Sequence, residues 1–208
     1  MSLQRIICNG IDERLIHLND PCAHELGRVR GVILFEQSTD IANFINKLKT
    51  ETTSPIAYRA LNQLINSGKA HLISQTKGTY NGGEPHTADD FNEGETRLLW
   101  KEYELQFIDP TYRDNAEFWN KAEKRKWYVA WRTETLLHIA TTPANILISN
   151  PIEDDVNSTV AWNITATWRS NQPPEITEIG SIADFFNPNK DIVIDTRLFT
   201  YEFSKQFI

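Results

Sequence analysis

A chain of 208 residues with a formal charge of −7 is long enough to bury one substantial core. It is too acidic to grip nucleic acid through phosphate contacts, which draw on clustered Lys and Arg. Six Trp, ten Phe and six Tyr against a single Met describe a rigid aromatic core of strand formers, and no apolar run is long enough for a membrane span or shaped like a signal peptide. The expectation is a cytoplasmically made protein of one domain with no membrane partner.

Residues 1–28 read as an N-terminal arm, with turn chemistry at Asn9-Gly10 and Asn19-Asp20-Pro21. Both cysteines, Cys8 and Cys22, lie here without a CxxC motif, so free thiols are favoured over a staple. With His17 and His24 they count up to a zinc tetrahedron, but their spacings fit no standard finger. No metal and no cofactor is expected.

Val29 to Phe35 is a short apolar strand. Ser38 or Thr39 then caps a helix in which Ile41, Phe44, Ile45 and Leu48 fall at i, i+3, i+4 and i+7. A second helix opens at Ser54-Pro55, carries Leu61, Leu64 and Ile65, and stops at Gly68. Lys69 to Thr76 reads as a strand. From Lys77 to Glu95, glycines, a proline and acids break every periodicity, so the spacing predicts a long loop of the functional or mobile kind. Gly78, Tyr80, Asn81, Gly82, Gly83, Glu84, Pro85, Asp89, Asp90 and Phe91 are its candidate intersubunit residues. Four glycines, Gly94 among them, give it too much backbone freedom to hold one shape alone, and a partner is expected to order it. Asp89, Asp90, Asn92, Glu93 and Glu95 miss the EF-hand spacing, which favours a solvated acidic loop.

Thr96 to Ile108 alternates sharply, with Tyr103, Leu105 and Phe107 on one side and Glu102, Glu104 and Gln106 on the other. This is a strand with one dry and one wet face. Glu102 and Glu104 raise the idea of paired-carboxylate chemistry, although glutamates on a wet strand face are far more often solvated. A helix over Arg113 to Arg125 follows, with Phe118, Trp119 and Ala122 as its apolar side. Lys121, Lys124, Arg125 and Lys126 then complement its dipole. Trp127 to Thr133, Thr135 to Ala140 and Ala144 to Ser149 are joined by short connections and predict an antiparallel meander.

Val160 to Trp168 repeats the alternation, placing Val160, Trp162, Ile164, Ala166 and Trp168 in the core. Gln172-Pro173-Pro174 ends regular pairing. Residues 175–208 form a C-terminal tail packing on core or neighbour, with strand-like pieces at Ile192 to Ile194 and Leu198 to Phe203. His71 and His138 lack a nucleophile motif nearby, and there is no P-loop or GxGxxG fingerprint. The glycosylation patterns at Asn157 and Asn163 are discounted, the second because it falls inside a strand. The expected fold class is β-rich α+β, an antiparallel β-sandwich or barrel-like sheet over residues 29–174 with two or three flanking helices.

The run Trp162-Asn163-Ile164-Thr165-Ala166-Thr167-Trp168-Arg169-Ser170-Asn171-Gln172-Pro173-Pro174, after a meander and the strand Tyr103-Glu104-Leu105-Gln106-Phe107, resembles virion structural proteins of tailed phages infecting Bacteroidetes. Among these it looks most like tail tube proteins, best over residues 98–174. The resemblance implies a non-enzymatic, tail-tube-like subunit whose sheets join into homo-oligomeric rings, six-fold in that family, stacked around a lumen that passes DNA without specific binding. It implies that Glu102, Glu104 and Gln106 face that lumen and that the 77–95 loop contacts the adjacent ring. Further copies and other tail proteins are the implied partners, and the virion tail the location, after synthesis in the bacterial host cytoplasm.

Two helices ahead of the loop and the long C-terminal segment depart from that pattern. They keep another ring-forming component, at a head–tail or tail-tip junction, as an alternative. From other classes come a small glycan hydrolase using Glu102 or Glu104 and a carbohydrate-binding module displaying tryptophans. Alternation around Trp162 and Trp168 reads as burial and weakens the latter.

Overall fold

The computed structural model describes residues 28–50, 54–89, 96–151, 160–179 and 182–186. In chain order these form β1 (Gly31–Glu36), α1 (Ile41–Thr50), α2 (Ser54–Asn66), β2 (Ala70–Ile73), β3 (Gly78–Tyr80), β4 (Glu84–Asp89), β5 (Thr96–Asp109), α3 (Ala116–Ala122), β6 (Lys126–Arg132), β7 (Leu136–Ile139), β8 (Ala144–Ser149), β9 (Trp162–Ser170), β10 (Glu175–Glu178) and α4 (Ile182–Phe185). The fold is a β-rich α+β arrangement built on one ten-stranded antiparallel sheet.

β1 is apolar without alternation because both of its faces are buried. Val32 and Leu34 enter one core with Val129 and Trp131 of β6, while Ile33 and Phe35 enter a second core with Ala130. The first core is closed by Tyr103, Leu105 and Phe107 of β5, by Ile146 of β8 and by Trp162, Ile164 and Trp168 of β9. In the sheet, β8 and β9 separate β6 from β5, yet Trp131 lies 6.0 Å from Trp168 and 4.7 Å from Tyr80, ring centroid to centroid. The sheet therefore folds over on itself, and its dry face encloses these aromatics. The second core is covered by helices: Ile41, Phe44, Ile45 and Leu48 of α1, Leu61 of α2, and Ile182 with Phe185 of α4 are all buried there.

Helix boundaries follow capping chemistry. Asp40 caps α1, its Oδ1 accepting from the Asn43 amide at 3.0 Å. The cap is thus neither Ser38 nor Thr39; Thr39 is buried and its hydroxyl turns to the Lys69 carbonyl. At the end of α2, Gly68 adopts φ +70° and the Gly68 and Lys69 amides bond back to the Ile65 and Leu64 carbonyls. That is the paired pattern of a Schellman stop. α3 is shorter than the Arg113 to Arg125 span, because Asp109 organises the residues before it into a turn.

Four further expectations are corrected. The segment from 77 is no long loop through residue 89: Gly78–Tyr80 and Glu84–Asp89 both pair along one edge of β5. Its ordering comes from the same chain. The glycines there serve close approach and special φ: a Cβ on Gly78 would meet the Gln106 carbonyl, and Gly82 and Gly83 take φ +74° and +91°. The meander is also not sequential, since β6 pairs β8 through only Lys126 and Trp127 and pairs β7 through Ala130 to Arg132. The Thr142-Pro143 bend joins β7 to β8, so the chain passes from pairing with β6 to pairing with β9. β9 begins at Trp162 rather than Val160, which is 37% exposed. Finally, regular pairing resumes after Pro174, with β10 on β7.

Candidate functional site

Strand alternation puts Glu102, Glu104 and Gln106 on the face of β5 opposite the core. Glu102 lies 3.1 Å from the Nε2 of His86, its diagonal neighbour on β4, and 3.6 Å from Arg169, directly opposite on β9. Gln106 Nε2 donates to Glu104 Oε1 at 2.6 Å. Beside them on β9 and β8 lie Asn163, Thr165, Thr167 and Asn145, with Leu147 61% exposed. The outer face is a carpet of carboxylate, amide and hydroxyl groups. Its glutamates are tied to cationic or amide neighbours, and neither lines the two clefts described below.

The candidate intersubunit residues are divided by the fold. Tyr80 stacks on Tyr103 and Trp168 at 6.2 and 6.3 Å, so it belongs to the core, and burial pushes its phenol far above the ordinary tyrosine range. Asn81 is a splice between β3 and β4. Its Oδ1 accepts from the Glu104 and Gly83 amides, and its Nδ2 donates to the Glu102 carbonyl. Gly83 passes over the Tyr103 ring. Glu84, Pro85 and Asp89 are exposed along β4, while Asp90 and Phe91 lie outside the described residues. The predicted core positions Tyr103, Leu105, Phe107, Trp162, Ile164 and Trp168 are all buried together.

β5 is 14 residues long, but β9 joins it only from Lys101 onward. Among the described residues, the preceding Thr96–Trp100 pair with β4 alone. At about 3.4 Å per residue this two-stranded arm stands roughly 17 Å beyond the sheet. Leu98 and Leu99 on it are 46% and 39% exposed, and a two-stranded ribbon is marginal in water without something to pack on. The arm is the main feature that sequence reading missed, because its strand pairing was hidden behind glycines.

Two clefts accompany it. One, of about 500 Å³, lies at the base of the arm between Trp100, Arg169 and Asn171. There Trp100 stacks on His86 at 5.5 Å and carries the Arg169 guanidinium at 5.5 Å. The other, of about 480 Å³, is lined by Glu36, Gln37, Ser38 and Lys124 to Trp127. Lys121 pairs with Glu117 and Arg125 with Glu36, as expected for cations about a helix end. Lys124 and Lys126 are exposed and make no ion pair among the described residues.

Among the described residues, no three His, Cys, Asp or Glu side chains gather as a metal site. Cys8, His17, Cys22, His24, Asn92, Glu93 and Glu95 fall outside the described residues. Asn163 stands on the outer face of β9, and Asn157 lies outside the described residues. His71 is packed between Phe118 and Trp127 at 4.6 and 5.5 Å, and burial lowers its pKa against the opposing pull of Glu36. No described helix is long and apolar enough to cross a membrane. No family model matches the chain, and no curated protein or solved structure matches it with significance.

Proposed function

We propose that this protein is a non-enzymatic assembly subunit that associates with copies of itself, and that the assembly is the ringed tail tube of a tailed phage. The observation that carries the reading is the projecting β4–β5 arm, whose exposed Leu98 and Leu99 have no third strand to lie against among the described residues. Such a ribbon gains stability by docking on a neighbour. Among the described residues, β2 and β10 leave open edges that bound the layer β2-β1-β6-β7-β10 on both sides, and pairing of unlike edges around a symmetry axis closes a ring. In that arrangement Glu102, Glu104 and Gln106 line a lumen whose charge repels DNA and so lets it pass.

Light scattering and negative-stain microscopy of the full chain test this. Rings, or tubes of stacked rings, are the expected result; rings that never stack favour a head–tail or tail-tip component. A protein that stays monomeric at high concentration overturns the assembly reading. A glycan-active protein would instead bind or cleave polysaccharide in a manner lost on changing Glu102 and Glu104 to Gln.

A further inference from the structure

The side-chain amide of Asn81 is gripped by the backbone around it. Its Oδ1 accepts the Glu104 and Gly83 amides at 2.9 and 3.1 Å, and its Nδ2 donates to the Glu102 carbonyl at 3.2 Å. A reversed amide would set Nδ2 against two N–H groups, so these partners fix its orientation. Two N–H donors on one carbonyl oxygen withdraw electrons from the carbon it is bonded to. They also stand where a negative oxygen would need them if that carbon were attacked.

The nearest nucleophile in the chain is the nitrogen of the next residue, Gly82. Gly82 is exposed, has φ +74°, and would meet nothing within 4 Å even with a Cβ. Among the described residues its amide donates to no acceptor. With no side chain at 82, water reaches the N–H, and the nitrogen turns toward Asn81 Cγ at little steric cost. Gly83 lies against the Tyr103 ring, which keeps one of the two donors in place while Gly82 moves.

We propose that Asn81-Gly82 is a self-modification site, where the fold hastens conversion of Asn81 to aspartate and isoaspartate. The Gly82 amide gives its proton to solvent hydroxide, and its nitrogen bonds to Asn81 Cγ. The Cγ–Nδ2 bond then breaks, and Nδ2 leaves as ammonia with a proton from water, giving a five-membered imide. Water adds to either imide carbonyl and opens the ring. Water is the only other reactant, nothing is oxidised or reduced, and the net change is an oxygen for the amide nitrogen.

Position 81 is where β3 hands over to β4 beside β5. A carboxylate there still accepts from Gly83 and Glu104, but it offers no donor to the Glu102 carbonyl. It also adds charge to a stretch that already holds Glu84, Glu102 and Glu104. Isoaspartate lengthens the turn backbone by a carbon as well. Each change loosens the root of the β4–β5 arm, so the reaction is a one-way timer on how firmly β4 is held. This goes beyond the assembly reading and stands whether or not the chain associates.

The test incubates the full chain at neutral pH in heavy-oxygen water, folded and in guanidinium chloride. Position 81 is then read by fragmentation mass spectrometry that separates aspartate from isoaspartate. We expect one solvent oxygen at position 81 and conversion at least about tenfold faster in the folded protein, well short of the roughly hundredfold that one oxyanion donor supplies in an enzyme. Gly82→Ala has room for its Cβ and should suppress the folded-state conversion, with circular dichroism confirming the fold. Asn81→Asp should speed hydrogen exchange of the β4 amides. Conversion no faster in the folded chain than in denaturant, or unaffected by Gly82→Ala, overturns the proposal. Exchange of β4 unchanged in Asn81→Asp overturns the timer.

Discussion

Asp109 is the one fully buried carboxylate among the described residues, 1% exposed, and every contact it makes is a donor's. The Thr111 amide, Asn115 Nδ2 and Trp119 Nε1 reach it at 2.9, 2.7 and 2.7 Å, which fastens α3 to the end of β5. Removing it leaves buried donors without acceptors, so Asp109→Ala is expected to cost about 3 kcal/mol in urea unfolding. Two glycines separate strain from crowding. Gly68 has φ +70° and open space where a Cβ would go, whereas Gly83 has φ +91° and the Tyr103 ring there. Gly68→Ala should therefore lose about 1 kcal/mol and Gly83→Ala at least about 2 kcal/mol; equal losses in urea titration would mean that the Tyr103 contact yields freely. His71 supplies a pH dependence. Its folded pKa is lowered by burial, so the unfolded chain takes up a proton first as pH falls through about 6.5. Stability is thus fully present above that value and declines below it, until the folded imidazole itself protonates. The melting temperature should drop between about pH 7.5 and pH 5.5, and by less in His71→Gln.

The arm is the element on which the proposed function turns. Thr87 faces Leu98 directly across the ribbon, so replacing residues 88–97 with Asn-Gly leaves a two-residue hairpin of a favoured type. The shortened chain keeps the Asn81 splice and every β5 pairing inside the sheet, and we expect its melting temperature to stay near wild type while association is lost. Sedimentation of the shortened chain checks this, and normal assembly by it would remove the arm from the mechanism. Leu98→Ser with Leu99→Ser probes the apolar part alone and should weaken association without lowering stability, because both side chains are already exposed.

At the level of the molecule, β1 and β6 join two cores, and neighbouring side chains such as Ile33 and Leu34 serve opposite ones. Trp119, Trp127, Trp131, Trp162 and Trp168 all belong to the first core, whereas α1 and α2 cover the second. Tryptophan fluorescence and helical circular dichroism therefore watch different layers. Ile33→Ala truncates only the helix-side core and should cost about 3 kcal/mol. Because the truncated strand is shared, both signals are expected to shift together to lower urea. Separate transitions would show layers that unfold independently.

Periodicity made most of the elements legible. The alternation of β5 and β9, the i, i+3, i+4, i+7 set of α1 and the glycine stop of α2 each follow from geometry within a dozen residues, and each lies where that geometry places it. The β3–β4 stretch was illegible for a local reason: its glycines look like freedom, and only the Gln106 carbonyl and the Tyr103 ring beside them make them requirements. The order β7-β6-β8 and the pairing of β10 with β7 depend on which edges are left open after the sheet has folded over its aromatics, a condition no short window of sequence contains. The same holds for the arm and the basic cleft. Their residues are visible in the chain, but the projection of the arm past β9 and the place of the cleft beside β6 arise from strand register, which long-range hydrogen bonding sets.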